Sequence, residues 1–315
     1  MGSFNTNGLS RTTATRYRAM QIAEMIRHEG MDLVALMEVT DEDALTPVLT
    51  CLGPGWEKSW HLSRPKRGVS SADLDVVGEG YAFIWNKRRL ARIQSTLLNG
   101  QKKDFEPVIY DRYNVHAQKG LKELVRDPLY GRFTPSGLGG GNFELRVICD
   151  HIRFNVFDNQ KDRLMWGRRQ NEFDVLTKVM YPRIEDMNYG SSMPAYTVLM
   201  GDFNLNLRRF WTGKPFIDTP QDGLIIGDKR ILTVQDQLTT LKKPKDKNPQ
   251  ESTVGYQNNF DHFCYNANRL ASMRPAYRRV DVMGTSYYTA YYGDYDRYRE
   301  EISDHIPIVM TLTPS

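Results

Sequence analysis

The sequence predicts an α+β protein in which mixed β-sheets are layered with helices. Apolar runs of strand length are interleaved with few helical patterns, and two of the later runs are separated by only two residues. Such short connections indicate antiparallel hairpins as well as parallel crossovers, which disfavours a purely parallel sheet. Because the 315 residues show no repeat and no compositional break, we expect a single domain over residues 1–315.

The first part of the chain reads as strand, helix, strand. After a short opening strand, apolar residues recur at helical spacing, and a continuous apolar run follows, as expected for a strand that is covered on both faces. The predicted elements are a strand over 3–9, a helix over 12–29 with Thr12 or Thr13 as its N-cap, and a strand over 33–37.

The rest of the chain continues with strands and one helix. The predicted elements are strands over 78–87, 143–149 and 152–157, a tight hairpin at Asp150-His151, a helix over 162–181 ended by Pro182, and strands over 196–200, 260–265 and 306–312. Three long segments, 41–75, 88–142 and 207–255, are weakly patterned. Long irregular segments in a compact domain are typical of functional loops.

Composition excludes several classes of protein. The three cysteines lie far apart without a CxxC pair, which argues against a disulfide framework and a thiolate zinc site. No apolar run is long enough for a membrane span and no secretory signal is present, so we expect an intracellular, cytoplasmic protein. The formal net charge of +4 suits a polyanionic substrate without establishing one.

Several predicted strands end in residues with catalytic or metal-binding side chains. A carboxylate, amide or imidazole stands at or just beyond the last apolar residue, or just before the first one. Strand ends of a layered sandwich can meet at one rim, where the sheet fixes the side chains and loops shape the entrance. These residues are Asn5, Asn7, Glu38, Asp202, Asn204, Asp261, Asp304 and His305.

Four short motifs, in order along the chain, give these residues a familiar context. The stretches SFNTNG, LMEV, GDFN and SDHIPI resemble the motifs of the endonuclease/exonuclease/phosphatase superfamily, whose fold is that of deoxyribonuclease I. The resemblance covers residues 3–312. It implies a four-layered α/β sandwich, with two packed mixed β-sheets flanked by helices, and a metal-dependent hydrolase of phosphate esters.

The resemblance also implies a role for each motif residue. Glu38, with Asn5 or Asn7 beside it, matches the metal position, and Asp304 matches a carboxylate near the metal. Mg²⁺ is the expected ion, with Mn²⁺ as a possible substitute, because carboxylate oxygens and substrate phosphates suit a hard cation. Asn7 is also a candidate catalytic residue.

The remaining motif residues are implied to act on water and phosphate. Asp202 matches the carboxylate that orients or deprotonates the attacking water, and Asn204 matches an amide that binds the phosphate. His305 matches an imidazole at the scissile phosphate, held by Asp261. A Gly-Asp-Asn turn that merely closes a strand explains the residue types at 202–204 equally well.

Two shorter stretches extend the resemblance. Arg126-Asp127-Pro128 resembles an element that brings an arginine to the phosphate backbone, and guanidinium groups suit bidentate phosphate contacts. Glu79-Gly80-Tyr81 resembles an element whose glutamate supports a second catalytic histidine. A loop salt bridge and an ordinary strand start are equally good interpretations.

The second histidine is where the sequence departs from this pattern. It is expected after the strand that contains Asn155, where Asp158 stands instead, and His151 falls in the predicted hairpin. We therefore expect either a substitute such as Asp158 or a site with one histidine.

These observations favour a Mg²⁺-dependent nuclease that hydrolyses DNA or RNA. The aromatic and charged stretch 286–301 could stack bases at the entrance, or could pack its tyrosines on the domain. The alternatives are a phosphatase or phosphodiesterase for inositol phosphates, phospholipids or nucleotides, and a non-catalytic homologue that only binds.

Overall fold

The computed structural model describes residues 1–64, 79–96, 101–115, 120–137, 143–153, 159–190, 192–207, 231–233, 237–242, 255–284 and 288–315. In chain order, the first eight strands are Gly2–Leu9 (β1), Leu33–Val39 (β2), Trp56–Ser63 (β3), Glu79–Asn86 (β4), Leu90–Arg92 (β5), Gln94–Thr96 (β6), Lys102–Asp104 (β7) and Val108–Ile109 (β8). The others are Leu129–Pro135 (β9), Glu144–His151 (β10), Ala195–Asp202 (β11), Ile231–Thr233 (β12), Asp261–Asn266 (β13), Ala276–Arg279 (β14) and Ile308–Thr311 (β15).

Six α-helices lie in the described part of the chain. They are Arg16–His28 (α1), Leu45–Leu52 (α2), Asn159–Val175 (α3), Tyr181–Glu185 (α4), Ala267–Leu270 (α5) and Tyr295–Glu301 (α6). A π-helical turn, Leu176–Met180, joins α3 to α4. None of the helices described is long and apolar enough to cross a lipid bilayer.

Two mixed sheets pack face to face. Sheet I has the strand order β14–β15–β1–β2–β4–β3, and sheet II has the order β12–β13–β11–β10–β9–β5, with β8 also paired to β9. Residues of β2, β4, β9, β10, β11 and β13 form an apolar core between the sheets. A second core joins α1 and α2 to the outer face of sheet I, and a third joins α3 and α4 to sheet II. The predicted four-layered sandwich is therefore confirmed.

Strand β2 shows why a run without polar alternation belongs at this place. Leu33, Ala35 and Met37 face the core between the sheets, whereas Val34 and Leu36 face the helices. Successive side chains of a strand point to opposite faces, so a strand covered on both sides is apolar throughout. The expected strand over 33–37 is confirmed and continues to Val39.

The predicted hairpin at Asp150-His151 is wrong. Strand β10 continues through His151 and pairs in parallel with β11, so that Asp150 lies opposite Gly201 and His151 opposite Asp202. A polar pair after an apolar run looks like a turn when both residues are taken as solvent-exposed, but both are buried here. The predicted strand over 152–157 lies largely outside the described residues.

The predicted start of the first helix and the predicted end of the second also shift. Helix α1 begins at Arg16, because Thr15 rather than Thr12 or Thr13 accepts the capping hydrogen bond from the Arg18 amide, at 3.2 Å. Thr13 instead takes part in a turn with Ser10. Pro182 does not end the second helix, since it occupies the first turn of α4, where a missing amide hydrogen costs nothing.

The segments predicted to be irregular contain regular structure. Helix α2 and strand β3 lie within 41–75, and strands β5 to β9 lie within 88–142. Strand β3 is at the edge of sheet I and most of its residues are half-buried, so it lacks the apolar alternation that the sequence prediction relied on. Most of 207–255 is outside the described residues.

The aromatic stretch before the last strand mainly packs on the domain. Tyr288, Tyr291 and Tyr298 are buried, and the Tyr298 hydroxyl donates a hydrogen bond to the His305 carbonyl at 3.3 Å. Tyr292 is 66% exposed. The structure thus favours a packing role for three of these tyrosines and leaves one at the surface.

Candidate active site

Strand directions bring the polar strand ends to one edge of the sandwich. Strand β1 runs parallel to β2, and β10 runs parallel to β11, so Asn5, His151 and Asp202 lie near carboxyl ends that meet at this edge. Strands β4 and β13 run antiparallel to their neighbours β2 and β11, so their first residues, Glu79 and Asp261, start at the same edge. The residues of this edge form the candidate active site.

Three of the predicted site residues have left-handed backbone conformations. The φ angles of Asn7, Glu38 and Asn204 are 49°, 56° and 50°. Residues other than glycine rarely adopt this region, and such conformations cluster where the surroundings hold a functional side chain in place. The β1–β2 register shifts after Asn5, which turns the end of β1 away from regular strand geometry.

Gly201 allows the close approach of two strands beside the site. Its φ is 154°, and a Cβ atom at this position would collide with the Asp150 carbonyl of β10. A glycine therefore lets β11 and β10 carry Asp202 and His151 side by side.

Asp202 lies at the centre of the site and is buried. Its Oδ2 accepts a hydrogen bond from Asn5 Nδ2 at 3.0 Å, and its Oδ1 accepts one from the main-chain amide of Asn204 at 2.9 Å. The Nε2 atoms of His151 and His305 both lie 3.5 Å from Oδ2. Burial alone would raise the pKa of Asp202, but the charged His305 and the hydrogen bonds from Asn5 and the Asn204 main-chain amide hold the pKa below its ordinary value.

His305 is held by two carboxylates. Its Nδ1 lies 2.8 Å from Asp261 Oδ2, and its own amide donates to Ser303 Oγ at 3.0 Å. Burial alone would lower the pKa of His305, but Asp261 and Asp202 raise it to about 10. The imidazole is therefore an imidazolium at neutral pH, and both ring nitrogens are donors.

His151 is the second histidine that the sequence analysis did not find. Its Nδ1 lies 2.6 Å from Glu79 Oε1, and its Nε2 lies 3.1 Å from Asn204 Nδ2. Burial lowers the pKa of His151. A neutral ring that donates from Nδ1 to Glu79 and accepts at Nε2 from Asn204 satisfies both contacts.

The expectation of a single histidine is therefore wrong. The signal that could have identified His151 was the same one that identified the other residues, since it closes the apolar run LRVIC of β10. Asp158, the suggested substitute, lies outside the described residues.

Arg126 and Glu79 lie behind His151. The Arg126 guanidinium is paired with Glu79 Oε2 and donates to the His151 carbonyl at 3.1 Å. Arg126 is only 6% exposed. The predicted contact between this arginine and a phosphate is not favoured by such a position, whereas the predicted support of a histidine by Glu79 matches the geometry.

Asn204 is likewise committed to partners within the protein. Its Nδ2 donates to the Ile152 carbonyl at 2.7 Å and contacts His151 Nε2 at 3.1 Å, which uses both amide hydrogens. Hydrogen-bond donation from Asn204 to a phosphate stays a prediction, and it requires the bond to His151 to open.

The residues predicted to bind metal lie in two places. Glu38 Oε1 accepts from Asn5 Nδ2 at 3.0 Å, and its side chain is 31% exposed. The exposed residue Asn7 follows, with its amide bonded to Asn5 Oδ1 at 2.9 Å. Asp304 Oδ2, in contrast, lies 3.1 Å from an Arg299 guanidinium nitrogen. Asn5 thus joins Glu38 to Asp202, while Asp304 is ion-paired to helix α6.

A second group of ligand-type atoms lies deeper in the site. One ligand atom each from Asp202, Asp261 and His305 lies within 4.8 Å of the other two, close enough to share a metal ion. His305, as an imidazolium, must lose a proton before it can serve as a ligand.

Comparisons with known proteins agree with this architecture. A model of the endonuclease/exonuclease/phosphatase family matches residues 2–305. None of the curated proteins compared with the chain matches it.

Solved structures of low sequence identity share the fold. Truncated TDP2 from Caenorhabditis elegans is 13% identical, with a TM-score of 0.53 over 99% of this chain and 96% of that one. TDP2 from D. rerio, complexed with a single-strand DNA product, is 16% identical, with a TM-score of 0.52 over 98% and 95% of the two chains. A mannosyl-6-phosphatase from Bacteroides thetaiotaomicron is 16% identical, with a TM-score of 0.50 over 99% and 98%.

The family model spans nearly the whole chain, and both the two-sheet architecture and the strand-end site agree with it. The chain belongs to the endonuclease/exonuclease/phosphatase family and is a phosphoesterase.

Proposed function

We propose that the chain is a metal-dependent phosphodiesterase that hydrolyses nucleic acid, with single-stranded DNA as the first substrate to test. The observation that carries the proposal is the ionised Asp202 carboxylate, which lies 3.5 Å from both a charged and a neutral imidazole. Such a set can orient an attacking water, accept its proton and donate a hydrogen bond to a phosphoryl oxygen within one small volume.

Asp202 is proposed to orient the attacking water and to accept its proton. Hydrogen bonds from Asn5 and from the Asn204 amide fix the carboxylate, and its lowered pKa keeps it ionised at neutral pH. A fixed, ionised carboxylate is suited to this task because no reorganisation is needed when the proton arrives.

His305 is proposed to donate from Nε2 to a phosphoryl oxygen. Asp261 holds the opposite nitrogen, so the ring orientation is set and its positive charge is retained. A charged donor aimed at the phosphate stabilises the negative charge that develops there.

His151, Glu79 and Arg126 are proposed to act as one unit. The Glu79 carboxylate fixes the tautomer of His151, and Arg126 neutralises Glu79 and binds the His151 carbonyl. The neutral His151 then accepts a hydrogen bond at Nε2 from the side-chain amide of Asn204. We therefore assign Arg126 to the positioning of His151 and not to direct contact with the substrate.

Glu38 is the residue that best fits a hard divalent cation. Its carboxylate is partly exposed, and Asn5 donates a single hydrogen bond to its Oε1. Oxygen ligands of this kind suit Mg²⁺ and Mn²⁺, whereas the group with His305 offers a protonated imidazole. When bound, the ion supplies charge neutralisation at the phosphate and acidifies a coordinated water. Asp304 stays a proposed ligand that must first leave Arg299.

Several observations bear on the substrate. The formal net charge of +4 and the fold shared with a TDP2 that was solved with a single-strand DNA product support nucleic acid. With two imidazoles beside Asp202, the site also suits a terminal phosphate, which favours a second candidate, a phosphomonoesterase. The fold shared with a mannosyl-6-phosphatase is compatible with that candidate. A non-catalytic role is disfavoured by the complete set of side chains around Asp202.

A substrate panel tests the proposal. Plasmid, single-stranded DNA, RNA, abasic duplex, inositol polyphosphates, sphingomyelin and a phosphorylated mannoside are each incubated with Mg²⁺, Mn²⁺ or EDTA. The proposal expects metal-dependent release of nucleotides or nicked strands, and none with EDTA. Faster hydrolysis of a small phosphomonoester than of every nucleic acid would select the second candidate, and no hydrolysis of any substrate would refute both.

A further inference from the structure

The pair formed by His305 and Asp261 joins the two sheets. Asp261 begins β13 of sheet II, whereas His305 precedes β15 of sheet I. Their 2.8 Å hydrogen bond therefore depends on how the two sheets are held relative to each other at this edge. A separate segment, residues 237–242, pairs with the chain just before each of these strands, through the bridges from Thr240 to His305 and from Leu241 to Tyr256.

On one side this segment is bonded to the chain around His305. Thr240 forms an antiparallel bridge with His305, the Ile306 amide donates to the Thr239 carbonyl at 2.8 Å, and the Leu241 amide donates to the Asp304 carbonyl at 2.8 Å. Arg299 adds a hydrogen bond to the Leu241 carbonyl at 2.9 Å. The backbone of the segment thus fixes the position of His305.

On the other side the Thr239 side chain is bonded to the start of β13. Its Oγ1 accepts hydrogen bonds from the amides of Phe260 and Asp261, each at 3.2 Å. Thr239 is fully buried. One residue therefore contacts both halves of the pair, with its carbonyl next to His305 and its hydroxyl at Asp261.

The hydroxyl hydrogen of Thr239 needs an acceptor, because Oγ1 already accepts two hydrogen bonds. Among the described residues, the buried Asp261 Oδ1 has no hydrogen bond of ordinary geometry. Burial raises the pKa of Asp261, whereas hydrogen bonds from the His305 and Thr239 side chains act to lower it. The Asp261 carboxylate is thus the acceptor within reach of the hydroxyl.

We propose that Thr239 is a positioning residue for His305, because its hydroxyl holds the Asp261 main chain and carboxylate in register with the imidazole. The proposal rests on the function proposed above, in which His305 donates to the phosphate. Loss of the hydroxyl leaves Asp261 free to turn, so His305 is aimed less well in the transition state, while substrate binding is little changed.

The neighbouring residue provides a matched control. Thr240 is also buried, but its Oγ1 accepts from the Asn258 main-chain amide at 3.0 Å, and no hydrogen bond joins its side chain to Asp261 in the described part of the structure. Valine at either position keeps the shape of threonine and removes the hydroxyl. Serine at position 239 keeps the hydroxyl and removes only a methyl group.

The experiment compares Thr239→Val, Thr239→Ser and Thr240→Val with the parent protein. The readouts are kcat and KM on the best substrate of the panel, and the proton NMR resonance of the His305 Nδ1–H group, identified by its loss in His305→Gln. Thr239→Val is expected to lower kcat about tenfold, with KM changed less than about twofold, and to shift the Nδ1–H resonance. Thr239→Ser and Thr240→Val are expected to resemble the parent in both readouts.

Three results would overturn the proposal. They are an unchanged kcat and resonance in Thr239→Val, a Thr239→Ser variant as impaired as Thr239→Val, and an equal loss in Thr240→Val. If Thr239→Val does not fold, the same comparison is made with Thr239→Ala. A parent protein that hydrolyses nothing would refute the proposed function, whereas the NMR comparison would still decide whether Thr239 orients the pair.

Discussion

At the scale of single residues, the site contains two histidines in opposite protonation states. Two carboxylates face His305 and hold a proton on it, whereas His151 is buried between Glu79 and the Asn204 amide with the Arg126 cation nearby. Environments that push the pKa values of two similar groups apart are typical of sites that divide acid and base tasks. This contrast leads to two predictions.

Replacing His151 with glutamine should lower kcat by roughly 100-fold, because the imidazole that holds the side-chain amide of Asn204 beside Asp202 is lost. The measurement is steady-state hydrolysis of the best substrate, with thermal unfolding recorded in parallel. His28→Gln, on the surface of helix α1, is the matched control and should keep the parent kcat. Equal kcat values for His151→Gln and the parent would remove His151 from the site.

Replacing Asp261 with asparagine should move the alkaline limit of activity to lower pH. A protonated His305 is present below its pKa of about 10 and is lost as the pH rises through that value. Asparagine still accepts a hydrogen bond from Nδ1 but carries no charge, so the pKa of His305 should fall by roughly 1–3 pH units. The measurement is the pH dependence of kcat/KM.

Asp304→Asn is the control for the pH profile. Asp304 raises the pKa of His305 less than Asp261 and Asp202 do, and no hydrogen bond joins it to the ring in the described structure. Its removal should shift the alkaline limit less than Asp261→Asn does. An alkaline limit that is the same in the parent and in Asp261→Asn would contradict the assignment of His305 as a charged donor.

At the scale of strands and helices, sequence patterns predicted the interior better than the edges. Strands β1, β2, β4, β11 and β13 were expected within a few residues, because each is largely buried and all of them except β1 contain a run of consecutive apolar residues. Strand β3 could not be expected in this way, since an edge strand needs no apolar face of its own. The error at His151 has another cause, namely that long-range pairing with β11 outweighed a local turn signal.

Gly201 gives a prediction at this scale. Gly201→Ala should lower the free energy of unfolding by about 1–3 kcal/mol, because the added Cβ meets the Asp150 carbonyl and the backbone φ of 154° disfavours a side chain. The measurement is equilibrium unfolding in urea. The same variant should lose activity, since Asp202 and His151 are displaced relative to each other.

Gly167→Ala is the control for that variant. Gly167 lies in helix α3, and among the described residues no heavy atom outside the backbone of that helix and the two chain neighbours lies within 4 Å of the position that its Cβ would take. Alanine there should raise the free energy of unfolding by about 0.5–1 kcal/mol. If Gly201→Ala is as stable as the parent, the close approach of β10 and β11 is not a constraint on the sequence.

At the scale of the whole molecule, the site is assembled from both sheets. Among the described residues of the site, side-chain hydrogen bonds cross between the sheets from Asn5 to Asp202, from Glu79 to His151 and from His305 to Asp261. Their partners are separated by 197, 72 and 44 residues in the chain. The site therefore forms only when the two sheets are packed together.

Such links mark the limit of what the sequence could predict. The order of four motifs indicated the family, and through it the residues Glu38, Asp202, Asp261 and His305. It could not indicate that Asp304 pairs with Arg299, because that contact depends on where helix α6 ends relative to the last strand.

The central claim is that Asp202 at this edge drives metal-dependent hydrolysis of phosphate esters. The most direct measurement is the single-turnover rate of the Asp202→Asn variant on the best substrate with Mg²⁺, with Asp43→Asn, an exposed acid elsewhere, as control. The account predicts a rate about 100- to 1,000-fold below the parent for Asp202→Asn, a parent-like rate for Asp43→Asn, and no parent activity in EDTA. Hydrolysis by a folded Asp202→Asn variant at the parent rate would contradict it.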